Sequence, residues 1–172
     1  MPDVYDFAER LMRMDDRTWR RHMSPWSVWS RFATMPLLTA AVWSRAWIGW
    51  WCLAPVGAVL VWNWANPRLF APPRRWDSWA SRGVLGERIW LARRTLPAGR
   101  RIPRHHVRAA NALSALSALG GAVWIYGVAV LDMGAALGGM AVLMLAKAWF
   151  VDRMVWIAYD RPEEVRAILG TE

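Results

Sequence analysis

Residues 109–131, AANALSALSALGGAVWIYGVAVL, and residues 134–151, GAALGGMAVLMLAKAWFV, decide the fold, because only Asp132-Met133 stands between them. Lys147 is the sole charged side chain in either run. About twenty helical residues cover ~30 Å, the thickness of a bilayer's hydrocarbon core. Two such runs joined by a two-residue turn predict a pair of antiparallel membrane helices, the second able to continue to residue 159. Small residues let helix backbones approach closely in lipid. The rows Ala110, Ser114, Ala118 and Gly134, Gly138 are the expected contact faces.

Upstream lies a third uncharged run, residues 46–65, AWIGWWCLAPVGAVLVWNWA. Pro55 is expected to kink it and Asn66-Pro67 to end it. Residues 25–44, PWSVWSRFATMPLLTAAVWS, are apolar except for Arg31 and read as a further span. The fold class is therefore all-α, a multi-pass transmembrane bundle with four membrane helices, or three if 25–44 lies in the interface. Arguing against four is the very tight turn at Ser44-Arg45-Ala46.

Residues 1–24 read as an amphipathic helix. Val4, Phe7, Ala8, Leu11, Met12, Trp19 and Met23 recur at helical spacing among five Arg and five acids. Such a helix lies flat on a membrane or packs on the rest of the chain. Its charges, which begin at once, do not read as a secretory signal. Residues 161–172 form a C-terminal tail.

Between the spans, residues 66–108 carry eleven Arg against Asp77 and Glu87, a net of +9 (11 − 2), with Pro67, Pro72, Pro73, Pro97 and Pro103. Short interfacial helices over 74–82 and 84–94, broken at Gly83, are expected. By the positive-inside rule this loop and the C-terminus are cytoplasmic, in the inner (cytoplasmic) membrane. The chain also holds 15 Trp, a residue enriched where lipid meets water. Arg68, Arg74, Arg75, Arg88, Arg93 and Arg94, with Trp76, Trp79 and Trp90, are the expected contacts to anionic lipid headgroups, the nearest phosphates to a juxtamembrane loop. Positive-inside topology alone accounts for such a loop, so nucleic acid is not an expected partner. A homo-oligomer or a larger membrane complex is compatible with the pattern.

The single cysteine, Cys52, excludes an internal disulfide and a multi-cysteine zinc site. His105 and His106 are adjacent and do not share a helix face. With His22 as the only other histidine, the ligand set of a histidine-box di-iron centre is missing. No phosphate-binding glycine loop, nucleophile elbow or HExxH occurs. No metal or cofactor is expected. The weak catalytic candidates are Glu87, His105 and Asp152; each also has a plain structural reading as an ion-pair or interfacial residue. A structural charge cluster is expected from Glu87, Arg88, Lys147, Asp152 and Arg153, with Glu87 as counter-charge for Lys147 and an arginine for Asp152.

The segments WSRAWIGWW (43–51), NPRLF (66–70) with Pro72-Pro73, GERIWL (86–91) and KAWFVDRM (147–154) resemble a family of small prokaryotic membrane proteins of unknown function. The resemblance covers most of residues 24–160. It implies a multi-helix membrane protein and no activity, cofactor or site. With no catalytic constellation in view, the expected function is non-catalytic: an accessory, scaffold or lipid-interacting membrane protein. The alternative is a membrane enzyme or small transporter for an anionic lipid-like substrate. Its site would be a rim of Arg68, Glu87, Arg88, His105, Lys147, Asp152 and Arg153.

Overall fold

The computed structural model describes residues 15–170. Helices α1 (Asp16–His22), α2 (Pro25–Phe32), α3 (Thr34–Trp43), α4 (Arg45–Ile48), α5 (Leu53–Leu69), α6 (Trp79–Leu91), α7 (Arg104–Val130), α8 (Met133–Asp160) and α9 (Pro162–Leu169) follow one another, with no strand among the described residues. Three helical stretches are long and apolar enough to cross a membrane: Pro25–Leu69, Arg104–Val130 and Met133–Asp160. Their most apolar windows are only 6%, 17% and 28% buried. Leu37, Leu60, Leu119, Ile125 and Leu145 point outward, as lipid-facing residues do.

The α7–α8 hairpin is the spine. Leu131 takes a left-handed conformation (φ 59°), and Asp132 caps α8 by accepting from Ala135 N at 2.9 Å. The backbone N–H groups of Leu131 and Asp132 both reach Gly127 O. This turn sets the register, and it is not the expected one. A Cβ on Gly127 would lie 2.2 Å from Ala136 N, and one on Gly139 would lie 2.3 Å from Trp124 N. Gly120 likewise faces Leu143 N at 2.5 Å. Gly138 meets nothing within 4 Å and Gly134 only the Asp132 side chain. Ala110 is fully buried, but Ala118 is exposed. The contact face therefore runs through Ala110, Gly120 and Gly127, and through Ala136 and Gly139.

The first apolar stretch folds back on itself. Ser27 and Ser30 of α2 bond to Asn66 near the end of α5, at 2.7 Å each. The arms of this hairpin are thus α2–α3 and α5, antiparallel. The turn is not the three residues expected but the whole of 44–52. Gly49 sits at φ +56°, and a 3-10 turn, Gly49–Cys52, leads into α5. The second arm accordingly starts at Leu53 and not at Ala46. Pro55 then falls in the first turn of α5, where its missing N–H costs nothing. Pro67 lies inside α5, which continues to Leu69 and stops ahead of Pro72-Pro73. Arg45 in the turn donates to Ala129 O, and the Trp124 indole donates to Thr39 Oγ1 at 2.9 Å. The hairpin thus runs alongside α7, its turn level with the Asp132 end.

At the opposite end sits a packed cap. The segment expected as two interfacial helices broken at Gly83 is one helix, α6, capped by Ser78, which accepts from Ser81 N at 3.1 Å. Gly83 and Gly86 do not break it; they are where it presses on α8. A Cβ at Gly86 would lie 1.8 Å from Met154 O. One apolar cluster joins Trp19, Met23, Val28, Ala80, Val84, Leu85 and Ala158. A second joins Ile89, Trp90, Ile102, Ala110, Phe150, Met154 and Ile157. The expected N-terminal amphipathic helix is described from Asp16 onward, its earlier part lying outside the described residues. There it packs on the cap with Trp19 buried. The C-terminal tail forms α9, whose Val165 and Ile168 pack on both clusters.

Candidate functional site

Where the cap meets the membrane helices, a cavity of about 320 Å³ opens between α2–α3, α5, α6 and α8. Val28, Phe32, Met35, Leu38, Leu60, Leu143, Met144 and Val151 line its apolar part; His22, Arg31, Thr34, Asn63, Glu87 and Lys147 supply the polar groups. Lys147 Nζ stands 3.4 Å from Glu87 Oε1. The two sit on different helices, and the Gly83–Gly86 contact surface of α6 brings them together.

Behind them runs a hydrogen-bond chain whose direction can be worked out. The Ser27 hydroxyl donates to Asn66 Oδ1 at 2.7 Å. Its only proton is then spent, so the 2.9 Å contact to His22 Nδ1 has the histidine donating. His22 Nε2 is left with a lone pair, facing Arg31 Nη1 at 3.4 Å. Asn66 Nδ2 donates to Ser30 Oγ at 2.7 Å, and Ser30 Oγ to Trp26 O at 2.6 Å. This arrangement requires neutral His22. Burial, reinforced by Arg31, pushes its pKa down to about 3. Burial alone would raise Glu87, but Lys147, backed by Arg31, outweighs it and holds the carboxyl below its usual range.

Of the rim expected from sequence, only Glu87 and Lys147 reach this cavity. Arg68 lies over the Trp64 ring, 4.2 Å from its centroid. Arg88 pairs with Asp16 at 2.5 Å. Asp152 accepts from the Trp79 indole at 3.0 Å and, among the described residues, from no arginine. Arg93 donates to Trp90 O, while Arg74, Arg75 and Arg94 are exposed, Arg75 beside Asp77. The expected Trp anchors turn inward: Trp90 is fully buried edge-on to Phe150, and Trp79 stacks on Trp29 with Trp76 packed nearby. Trp90 is thus unavailable to lipid, because α6 buries the face that carries it.

His22 and Arg31 are the members that sequence reasoning did not place in the site. Their signal was present: Arg31 is the one charge in residues 25–44. His105, His106 and Asp160 offer donor atoms within 4.8 Å of one another. His106 Nε2 is already 2.8 Å from Asp160 Oδ2, and its buried Nδ1 has no acceptor of the kind a metal-ligating histidine ordinarily uses. The contact fastens the start of α7 to the end of α8, with Arg153 of α8 in the field of His106.

Membrane-length helices, an inverted distribution of apolar side chains and a charged cavity at their edge define a helical membrane protein with a packed extramembrane cap. The chain belongs to the family of unknown function DUF6653, whose model matches residues 6–168. No curated protein matches it, and no solved structure matches it.

Proposed function

We propose that this protein is a non-catalytic, lipid-interacting protein of the cytoplasmic membrane, with four membrane segments and the cap on the cytoplasmic side. The observation that carries this is the placing of the exposed tryptophans. Trp47, Trp50 and Trp51, each 76% exposed or more, ring the 44–52 turn. Trp26, Trp29, Trp64, Trp149 and Trp156 ring the cap end. Residues 25–43 separate these belts by ~28 Å of helix, one hydrocarbon thickness. Beyond the cap-side belt lie exposed Arg74, Arg75, Arg94, Arg100, Arg101, Arg104 and Arg108. Exposed arginines at a cytoplasmic surface favour anionic headgroups by ~1 kcal/mol each.

The test is twofold. In a Cys52→Ser background, single cysteines at Thr95 and Asp132 label from opposite sides, and one at Ala46 labels from the Asp132 side. Labelling of Ala46 from the Thr95 side removes the four-segment reading. Neutralising Arg74, Arg75, Arg94 and Arg100 together lowers the co-purifying phosphatidylglycerol and cardiolipin. An unchanged lipid content removes the lipid reading. The convergence of Glu87 and Lys147 on one cavity favours, as a second reading, action on an anionic lipid-like molecule there.

A further inference from the structure

Three features of the cavity remain unused by the fold. Arg31 is the first. Among the described residues its one hydrogen bond is the long contact to neutral His22, and no carboxylate lies within 4 Å. The guanidinium carries five donors, so most of them are uncommitted. Thr34 is the second. Its hydroxyl is buried and has no partner among the described residues. Hydroxyls on the neighbouring turns bond back to the preceding carbonyl, as Thr39 does to Met35 O at 2.8 Å and Ser30 to Trp26 O. Thr34 does not, and an unsatisfied buried hydroxyl is costly. The third is charge: Arg31 and Lys147 face one carboxylate, Glu87, so the cavity holds an excess of one positive charge.

The mouth indicates where a ligand enters. α5 packs on α1, α2 and α3 but makes no extensive contact with α8. Leu60 and Asn63 of α5 therefore face Leu143, Met144 and Lys147 of α8 across an opening. Leu60 is 53% exposed, within a stretch apolar enough to cross a membrane. With these helices in a bilayer, the opening leads sideways into lipid, its charged end at the cap and its apolar end toward Leu60 and Leu143. A volume of about 320 Å³ accepts a headgroup and the first part of a chain, at the small end of ligand pockets.

We propose that this cavity binds the phosphate headgroup of an anionic amphiphile drawn from the bilayer, with Arg31, Thr34 Oγ1 and Lys147 as its donors and the Leu60–Leu143 opening as the path of its chain. Glu87 holds Lys147 in place. The inference rests on the membrane reading but not on the exposed arginines of the cap, which are a separate surface.

The test uses the full chain in dodecyl maltoside, titrated with dioctanoyl phosphatidate, dioctanoyl phosphatidylcholine or inorganic phosphate. Thermal shift and native mass spectrometry are the readouts. One phosphatidate per chain is expected to bind and stabilise, and neither phosphatidylcholine nor phosphate to do so at the same concentration. Arg31→Gln raises the dissociation constant at least tenfold. Thr34→Val, which removes only the orphaned hydroxyl, raises it about tenfold while leaving the unliganded protein as stable or more so. Arg166→Gln, at an exposed position of α9, changes neither. Equal binding of inorganic phosphate overturns a membrane source. Undiminished phosphatidate binding by Thr34→Val overturns the site even if Arg31→Gln fails to fold. If the quadruple cap variant loses lipid while the cavity variants do not, the surface reading stands and the cavity proposal falls.

Discussion

Gly86→Ala adds one methyl group at the tightest contact between α6 and α8. The new Cβ would stand 1.8 Å from Met154 O, where ordinary contact begins at 3.4 Å. The two helices must separate locally by 1.6 Å (3.4 − 1.8). The atoms it meets, Met154 O, C and Cα, are all backbone, so no rotamer change relieves the clash. Overpacking of this kind costs about 3 kcal/mol, at the upper end of the usual range. Alanine returns about 0.5–1 kcal/mol through its better helix propensity. The net loss is about 2 kcal/mol or more, a fall in melting temperature of roughly 4–8 °C for a chain of this size. The shift also opens the seam beside Trp90 and Ile89, which are buried against Phe150 and Met154. Gly138→Ala is the matched control, since a Cβ there meets nothing within 4 Å. It should be neutral or slightly stabilising. Thermal unfolding in detergent, followed by loss of monodisperse protein, reads both. A Gly86→Ala protein melting within 1 °C of the parent, or a Gly138→Ala protein as damaged as Gly86→Ala, would refute the helix register described above.

Glu87→Gln and Lys147→Met should each lower thermal stability, and the double variant should lose less than the sum, by about 0.5–3 kcal/mol of coupling; additive losses would mean the pair is idle. His22 should set part of the acid limb. Its folded pKa, about 3, lies below the ordinary 6.5. Between those values the unfolded chain binds the extra proton and the folded one does not. Stability therefore falls as the pH drops through that window, by up to about 1.4 kcal/mol per pH unit. His22→Gln should flatten the limb between pH 6.5 and 4, and an unchanged slope in an equilibrium unfolding series would reject the buried neutral form. Leu131 holds a left-handed conformation that ordinarily suits glycine. Leu131→Gly should stabilise by up to about 1 kcal/mol and Leu131→Val should destabilise, and the reverse order would show that the turn differs from the one described.

The apolar runs at 109–131 and 134–151, the Arg-rich stretch between spans and the small turn at Asp132 were legible from the chain alone. Each rests on local composition: a run too apolar for water, a charge too costly for lipid, a cap residue between two helices. The pairing of Lys147 with Glu87 was also within reach, because two opposite charges at one membrane depth have few other partners. What could not be read was register. Gly134 and Gly138 form as good a small-residue row on paper as Ala136 and Gly139. Only the left-handed Leu131 and the convergence of two N–H groups on Gly127 O turn one row inward and the other out. Gly83 looked like a helix breaker, since a glycine's local cost is visible in sequence and the close approach to α8 that repays it, at Gly83 and Gly86, is not. Trp90 looked like a lipid anchor for the same reason: composition shows that an aromatic is present, but α6 packing on α8 decides which side it faces. The cavity belongs wholly to tertiary structure. Arg31, Thr34, Glu87 and Lys147 come from three separate segments, and the gap left between α5 and α8 is what makes them one site.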